Sequence, residues 1–132
     1  MAKTGCRYLG ALLILAGMVG SFAPNLLGLH LTPAHNIIHL LTGALSFYFG
    51  FGGTSKAAHL FSRICGVSYL FGGILGFITP EVIEKIFQVH ALTGSANLIP
   101  DNVALLLVGA AFLIVSSLSE SRRPTMIKLN LG

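Results

Sequence analysis

The sequence predicts an all-α fold: an integral membrane four-helix bundle built from two tandem two-helix repeats, with a short interfacial helix near residues 80–90. Three observations predict it. The 132-residue chain is 54% hydrophobic and only 9% charged, with a mean hydropathy of +0.83, where soluble domains carry roughly 25% charged residues. No Asp, Glu, Lys or Arg occurs between Arg7 and Lys56, between Arg63 and Glu81, or between Asp101 and Glu120. An ionisable side chain at mid-bilayer costs about 2.5 to 3.5 kcal/mol on insertion scales, so these gaps mark hydrocarbon. Finally, the chain repeats itself. Arg7, Gly10, Gly17, Gly20 and Pro24 recur 56 positions later as Arg63, Gly66, Gly73, Gly76 and Pro80. Asn36 and Gly43 recur 66 positions later as Asn102 and Gly109, so the second copy is the longer one.

A spanning helix needs roughly 20 residues to cross about 30 Å of hydrocarbon. The first charge-free stretch holds two, broken at Pro24-Asn25 and again at Thr32-Pro33. The spans are then Tyr8 to Ala23, Ala34 to Gly52, Ser62 to Ile78 and Asn102 to Ser119, the first and third somewhat short. Thr32-Pro33 and Thr79-Pro80 each offer a hydroxyl N-cap followed by proline at the first helical position, where its missing N–H is not needed. Beyond Thr79, Val82, Ile83, Ile86 and Phe87 share one helical face while Glu81, Glu84, Lys85 and Gln88 share the other. That pattern is a short helix lying in the interface, with Gly94 as its stop, and it takes up much of the second copy's extra length. The chain is therefore one transmembrane domain, 1–132, with repeat one at 7–52, repeat two at 63–119 and a tail at 120–132.

Lys3, Arg7, Lys56, Arg63, Arg122, Arg123 and Lys128 fall on the N-terminus, the middle loop and the C-terminus, leaving only Lys85 on the other side. By the positive-inside rule both termini face the cytoplasm, which places the chain in a cell's inner (cytoplasmic) membrane. The net charge of +4 then describes a face apposed to anionic lipid, and nucleic-acid binding explains so scattered a set poorly. Lys3 and Arg7 ahead of Leu9 to Val19 resemble a signal peptide, but the segment is half of a repeat and reads as a mature helix. Cys6 and Cys65 both fall near the reducing side and show no CxxC spacing, so neither a disulfide nor a structural zinc site is expected.

Gly10, Gly17 and Gly20, with Gly66, Gly73 and Gly76, lie at spacings of seven and three and line one face of each helix. Together with Gly43 and Gly109 they read as helix-packing positions, where the missing side chain lets backbones approach. Arg7 and Arg63 read as anchors at lipid phosphates. The candidate chemistry sits at the start of the second span. His35 and His39 are one helical turn apart on one face, with Asn36 beside His39. His30 and His90 fall on the same side of the membrane. His39 has no counterpart, because its repeat partner is Leu105. Neutral imidazole is a common ligand for haem iron and for metals, so His39, His35 and Asn36 are candidate cofactor-binding residues for haem or chlorophyll. The other reading is structural, with Asn and His pinning two helices through hydrogen bonds. No intramembrane carboxylate accompanies the pair, and no HExxH or Ser/His/Asp arrangement points to an enzyme.

Gly76-Phe-Ile-Thr-Pro80, its partner Gly20-Ser-Phe-Ala-Pro24, Asn36-x-x-His39-x-x-x-Gly43 and Pro100-Asp-Asn102 resemble the small four-helix bacterial membrane proteins known as domain of unknown function 4383. The resemblance covers Arg7 to Ser117. It implies the four-helix fold and a second histidine where Leu105 stands. Three functions stay open: an accessory or structural subunit packed in a larger, energy-converting or photosynthetic membrane complex; a haem or chlorophyll carrier using His39; and a small transporter. Composition favours the first, with the lipid bilayer and other membrane subunits as partners and no soluble substrate. The third lacks a mid-span charge or a broken helix to mark a pathway.

Overall fold

Helix α1 (Ala2–Phe22) starts six residues before the predicted span, and α3 (Ser55–Ile78) seven before. The charges of Lys3, Arg7, Lys56 and Arg63 end the hydrocarbon but not the helix, since long basic side chains reach back to water from the last turns. The computed structural model describes residues 1–87 and 99–120. Between α1 and α3 runs α2 (Pro33–Phe51). After α3 come a short α4 (Pro80–Phe87) and the final helix, α5 (Ile99–Glu120). Gly94, His90 and the tail beyond Glu120 lie outside the described residues. Among those described there is no strand.

Local chemistry explains most of the boundaries. Thr32 caps α2 by accepting the His35 backbone N–H at 3.3 Å, with Pro33 at the first helical position. Thr54 does the same for α3, accepting from Ala57 at 3.1 Å. Thr79 also serves the helix before it. Its hydroxyl donates back to the Leu75 carbonyl at 3.1 Å, and its backbone N–H goes to the same carbonyl at 2.7 Å. It therefore closes α3, while its carbonyl accepts the Val82 N–H of α4 at 3.1 Å. The α1–α2 connection holds a 3-10 turn at Leu26–Gly28, whose last residue has φ +78°, a left-handed conformation that glycine adopts without strain. A hydrogen bond from Leu31 N–H to the Pro24 carbonyl at 2.7 Å closes this loop.

The helices contact one another chiefly in two antiparallel pairs, α1 with α2 and α3 with α5. Glycine sets both pairs. A Cβ on Gly43 would lie 2.9 Å from the Ile14 backbone nitrogen and 3.0 Å from the Gly10 carbonyl oxygen. One on Gly109 would lie 2.7 Å from the Leu70 nitrogen and 2.9 Å from the Gly66 oxygen. Gly17 faces the Asn36 carbonyl and Leu40; Gly73 faces the Asn102 carbonyl and Leu106. Gly20 meets the side-chain amide of Asn36, and Gly76 that of Asn102. Both buried amide oxygens lack an ordinary hydrogen-bond partner, and each rests on the Cα face of its glycine, where a weak Cα–H donor is available. The contacts of one pair thus recur in the other at the offsets of the sequence repeat.

The pairs join along α1 and α3. Cys6 and Ser62, which correspond in the repeat, share a hydrogen bond at 3.2 Å, and Ala2 and Ala58 pack together beside them. Ser46 donates to the Cys6 carbonyl at 2.8 Å. Leu13, Tyr69, Leu105 and Phe112 fill the middle. Arg7 binds within the protein: its Nε donates to the Gly50 carbonyl at 2.9 Å, and its guanidinium lies 4.5 Å over the Phe51 ring, closing the carbonyl end of α2. Arg63 is exposed.

Three helices are long and apolar enough to cross a membrane: Ala2–Phe22, Ser55–Ile78 and Ile99–Ser119. Helix α2 has the length, at 19 residues, but His35, Asn36 and His39 in its first two turns lower its average. The close approaches lead to a stability prediction. Gly43→Ala pushes two backbones apart and destabilises the fold by about 1–3 kcal/mol. Gly72→Ala, whose Cβ would meet only Leu105 at 3.9 Å, is neutral or stabilising by up to about 1 kcal/mol through helix propensity. Unfolding equilibria of the two variants in detergent or bicelles check this.

Candidate functional site

Six of the ten buried polar side chains among the described residues gather at the end of the bundle that holds the α1–α2 connection and the start of α5; Ser46, His59, Ser62 and Ser116 lie elsewhere. Thr32, His35, Asn36, His39, Asp101 and Asn102 are all buried there. Proline and threonine place the histidines: the capped start of α2 turns His35 and His39 inward, with ring centroids 4.6 Å apart in an edge-to-face contact. His39 continues to the Tyr69 ring of α3 at 6.5 Å, roughly parallel to it. Tyr69 stacks on Phe112 at 6.2 Å, and Phe112 meets Phe61 at 6.1 Å. A row of rings therefore runs from the histidine end into the core, within the usual 4.5 to 7 Å aromatic range.

Asp101 is the residue that sequence reasoning missed. From the first turn of α5 its carboxylate accepts the His30 backbone N–H at Oδ1 and approaches the His30 ring Nδ1 with Oδ2, both at 2.7 Å. His30 in turn offers its carbonyl to His35 Nδ1 at 3.3 Å. One carboxylate thus ties the α1–α2 connection to the last helix, across the two halves of the chain. A signal was present. Asp101 stands 66 positions after His35, at the repeat equivalent of a histidine, and it bounds a long charge-free run.

The structure brings His35 and His39 together but turns Asn36 away from them. Its Nδ2 donates to the Leu31 carbonyl at 3.1 Å, and its oxygen faces Gly20 on α1. The expected Asn36–His39 pairing is replaced by a tie within the first half of the chain, because the two side chains, about 60° apart around the helix, are taken up by different neighbours: Asn36 lies over α1 and His39 toward Tyr69 of α3. His39 and its repeat equivalent, Leu105, both reach Tyr69. The broken position of the repeat therefore borders the centre of the bundle. The Tyr69 hydroxyl faces Thr42 without a well-aligned hydrogen bond, and His39 Nδ1 is buried without a partner. Cys6 and Cys65 are free thiols.

Among the described residues, the surroundings of His39 show no room for a tetrapyrrole. Its ring is bounded by His35 and Tyr69, and the cavity beside Tyr69, Leu105, Gly72, Ser68 and Ile38 measures about 130 Å³, below the roughly 300 Å³ at which cofactor pockets begin. No group of three or more His, Cys, Asp or Glu side chains able to hold a metal ion occurs among the described residues. The arrangement can bind and shift protons and can hold helices in register. No family model, curated protein or solved structure matches this chain. The tie between the halves is open to test. Asp101→Ala strands two donors of His30 and costs about 1–3 kcal/mol, whereas Asp101→Asn retains an acceptor and loses less. Unfolding in detergent separates the two variants.

Proposed function

We propose that this protein is a non-catalytic, four-span integral membrane protein that serves as an accessory or structural subunit of a larger membrane complex. The observation that carries the reading is an inverted distribution of polarity. Every long helix exposes large apolar side chains: Leu12 and Phe22 on α1, Leu41 and Tyr48 on α2, Ile64 and Phe71 on α3, Leu107 and Ile114 on α5. Inside lie Ser46, Ser62, Ser116, His39, Asn36 and Asn102. Water-soluble domains rarely expose contiguous apolar surface beyond a few hundred Å², whereas in hydrocarbon the polar groups must turn inward and find one another.

The same observation supports α2 as the fourth span. Its histidines and asparagine are buried, so the face it offers its surroundings is as apolar as those of the other three. In this reading four spans, with basic residues near both termini, favour cytoplasmic N- and C-termini and a bacterial inner membrane. The matched glycine contacts of the two helix pairs support an origin by duplication. The resemblance to the domain of unknown function 4383 proteins points the same way. Little of the described chain stands outside the helices to form a soluble active site, and the apolar exterior suits lipid and neighbouring subunits, in an energy-converting or photosynthetic complex.

Reporter fusions at each terminus test the span count. Both are expected on the cytoplasmic side, and termini on opposite sides would mean three spans. Gentle solubilisation of the tagged chain is expected to retain stoichiometric membrane partners. A solitary monomer would sink the subunit reading.

A further inference from the structure

The two arginines of the repeat have different surroundings. In the first helix pair Gly50 lets Arg7 lie against the backbone of α2: a Cβ there would come within 2.8 Å of Arg7 Cγ and 3.1 Å of its backbone nitrogen. The residue 66 positions after Gly50 is Ser116. It carries the side chain that Gly50 lacks, and it is buried. The second arginine therefore has no equivalent seat, and Arg63 stands exposed on the outer face of α3. Among the described residues neither Arg63 nor Lys56, the exposed cation seven positions earlier, has a hydrogen bond or an ion pair.

Seven residues bring a helix back to nearly the same face about 10 Å along its axis, so Lys56 and Arg63 lie on one line. Helical Cα–Cβ bonds tilt toward the N-terminus, which for α3 is the Lys56 end, and a long basic side chain extends that way to reach water. Beyond Arg63 the same face is apolar. Ile64, Val67, Phe71 and Ile74 follow at helical spacing, all exposed. Leu60, Arg63, Ile64, Val67 and Ser68 line a recess of about 410 Å³. A guanidinium holds phosphate through two parallel hydrogen bonds and gives up its hydration more readily than an ammonium. A phospholipid offers both halves of what this face recognises, a phosphate at one end and hydrocarbon at the other. A free phosphate ion makes no use of the apolar strip. Two cations on one face favour a lipid of net negative charge over a zwitterionic one, whose own ammonium they repel.

We propose that Arg63, Lys56 and the recess on α3 form a binding site for one anionic phospholipid, with its phosphate on the guanidinium and an acyl chain along Ile64, Val67 and Phe71. The site rests on the membrane reading, because a bilayer is what supplies this ligand. A lipid held there takes the α3 face out of direct contact with neighbouring subunits.

Native mass spectrometry of the full chain in detergent measures the site. Titration with dioleoylphosphatidylglycerol is expected to give one saturable adduct, bound about tenfold more tightly than that of dioleoylphosphatidylcholine, as one charge-assisted contact provides. Arg63 is exposed, so Arg63→Gln keeps the fold and is expected to lose that preference. Val67→Trp fills the recess without changing the charge and is expected to weaken the adduct as well. Lys85→Gln, which removes an exposed cation on α4, is expected to change nothing. Equal binding of the two lipids, an adduct that survives Arg63→Gln or Val67→Trp, or an equal loss in Lys85→Gln overturns the site. Displacement of the lipid by inorganic phosphate overturns it too, since the arginine would then be a plain anion site. Carbonate extraction of cell membranes tests the underlying reading separately. A chain released by carbonate fails the membrane reading, whereas a chain that is retained yet indifferent to phosphatidylglycerol fails only the site.

Discussion

The close approach of helix backbones across glycine is the constraint on which the rest of this structure depends. In hydrocarbon no hydrophobic force draws two helices together, so association rests on packing and on polar contacts. Gly10 against Gly43, and Gly66 against Gly109, bring backbones within a distance that no side chain would permit. Once those points are set, the register of each pair follows. Asn36 must lie on Gly20 and Asn102 on Gly76, and the polar start of α2 is carried into the interior.

Joining the two pairs requires the equality of the repeat to be broken. Equivalent positions meet near the centre and compete for one space, so they cannot both be large. Tyr69 stands where the first copy has Leu13, and Phe112 where it has Ser46. The aromatic residues of the second half fill the middle, and the smaller ones of the first make room. His39 against Leu105 is part of the same arrangement: one polar and one apolar side chain border Tyr69. Breaking the equality leaves a polar cluster at the start of α2, where a carboxylate from the second half holds a histidine from the first.

Much of this was legible in the chain. Spacing alone identified the glycines that line the interfaces, and Thr32-Pro33 marked the start of α2. Other features were not legible, for identifiable reasons. The basic residues that end the hydrocarbon were read as ending the helices, although their long side chains allow a helix to run past them. Thr79 offers the same hydroxyl to either of two helices, and only the path of the chain shows that it closes α3. Arg7 looked like a lipid anchor because its partner, the Gly50 carbonyl, is 43 residues away and carries no sequence signal.

The sequence by itself determined the helical class, the apolar surroundings, the repeat and the glycine faces, because composition and periodicity are properties of neighbouring residues. Which histidine meets which partner was decided only by the tertiary structure. His30 and Asp101 are 71 positions apart, and Asn36 and His39, close in sequence, face different helices. A side chain's partner depends on which backbone crosses its face. That crossing is fixed by packing between the two halves and not by the residues on either side.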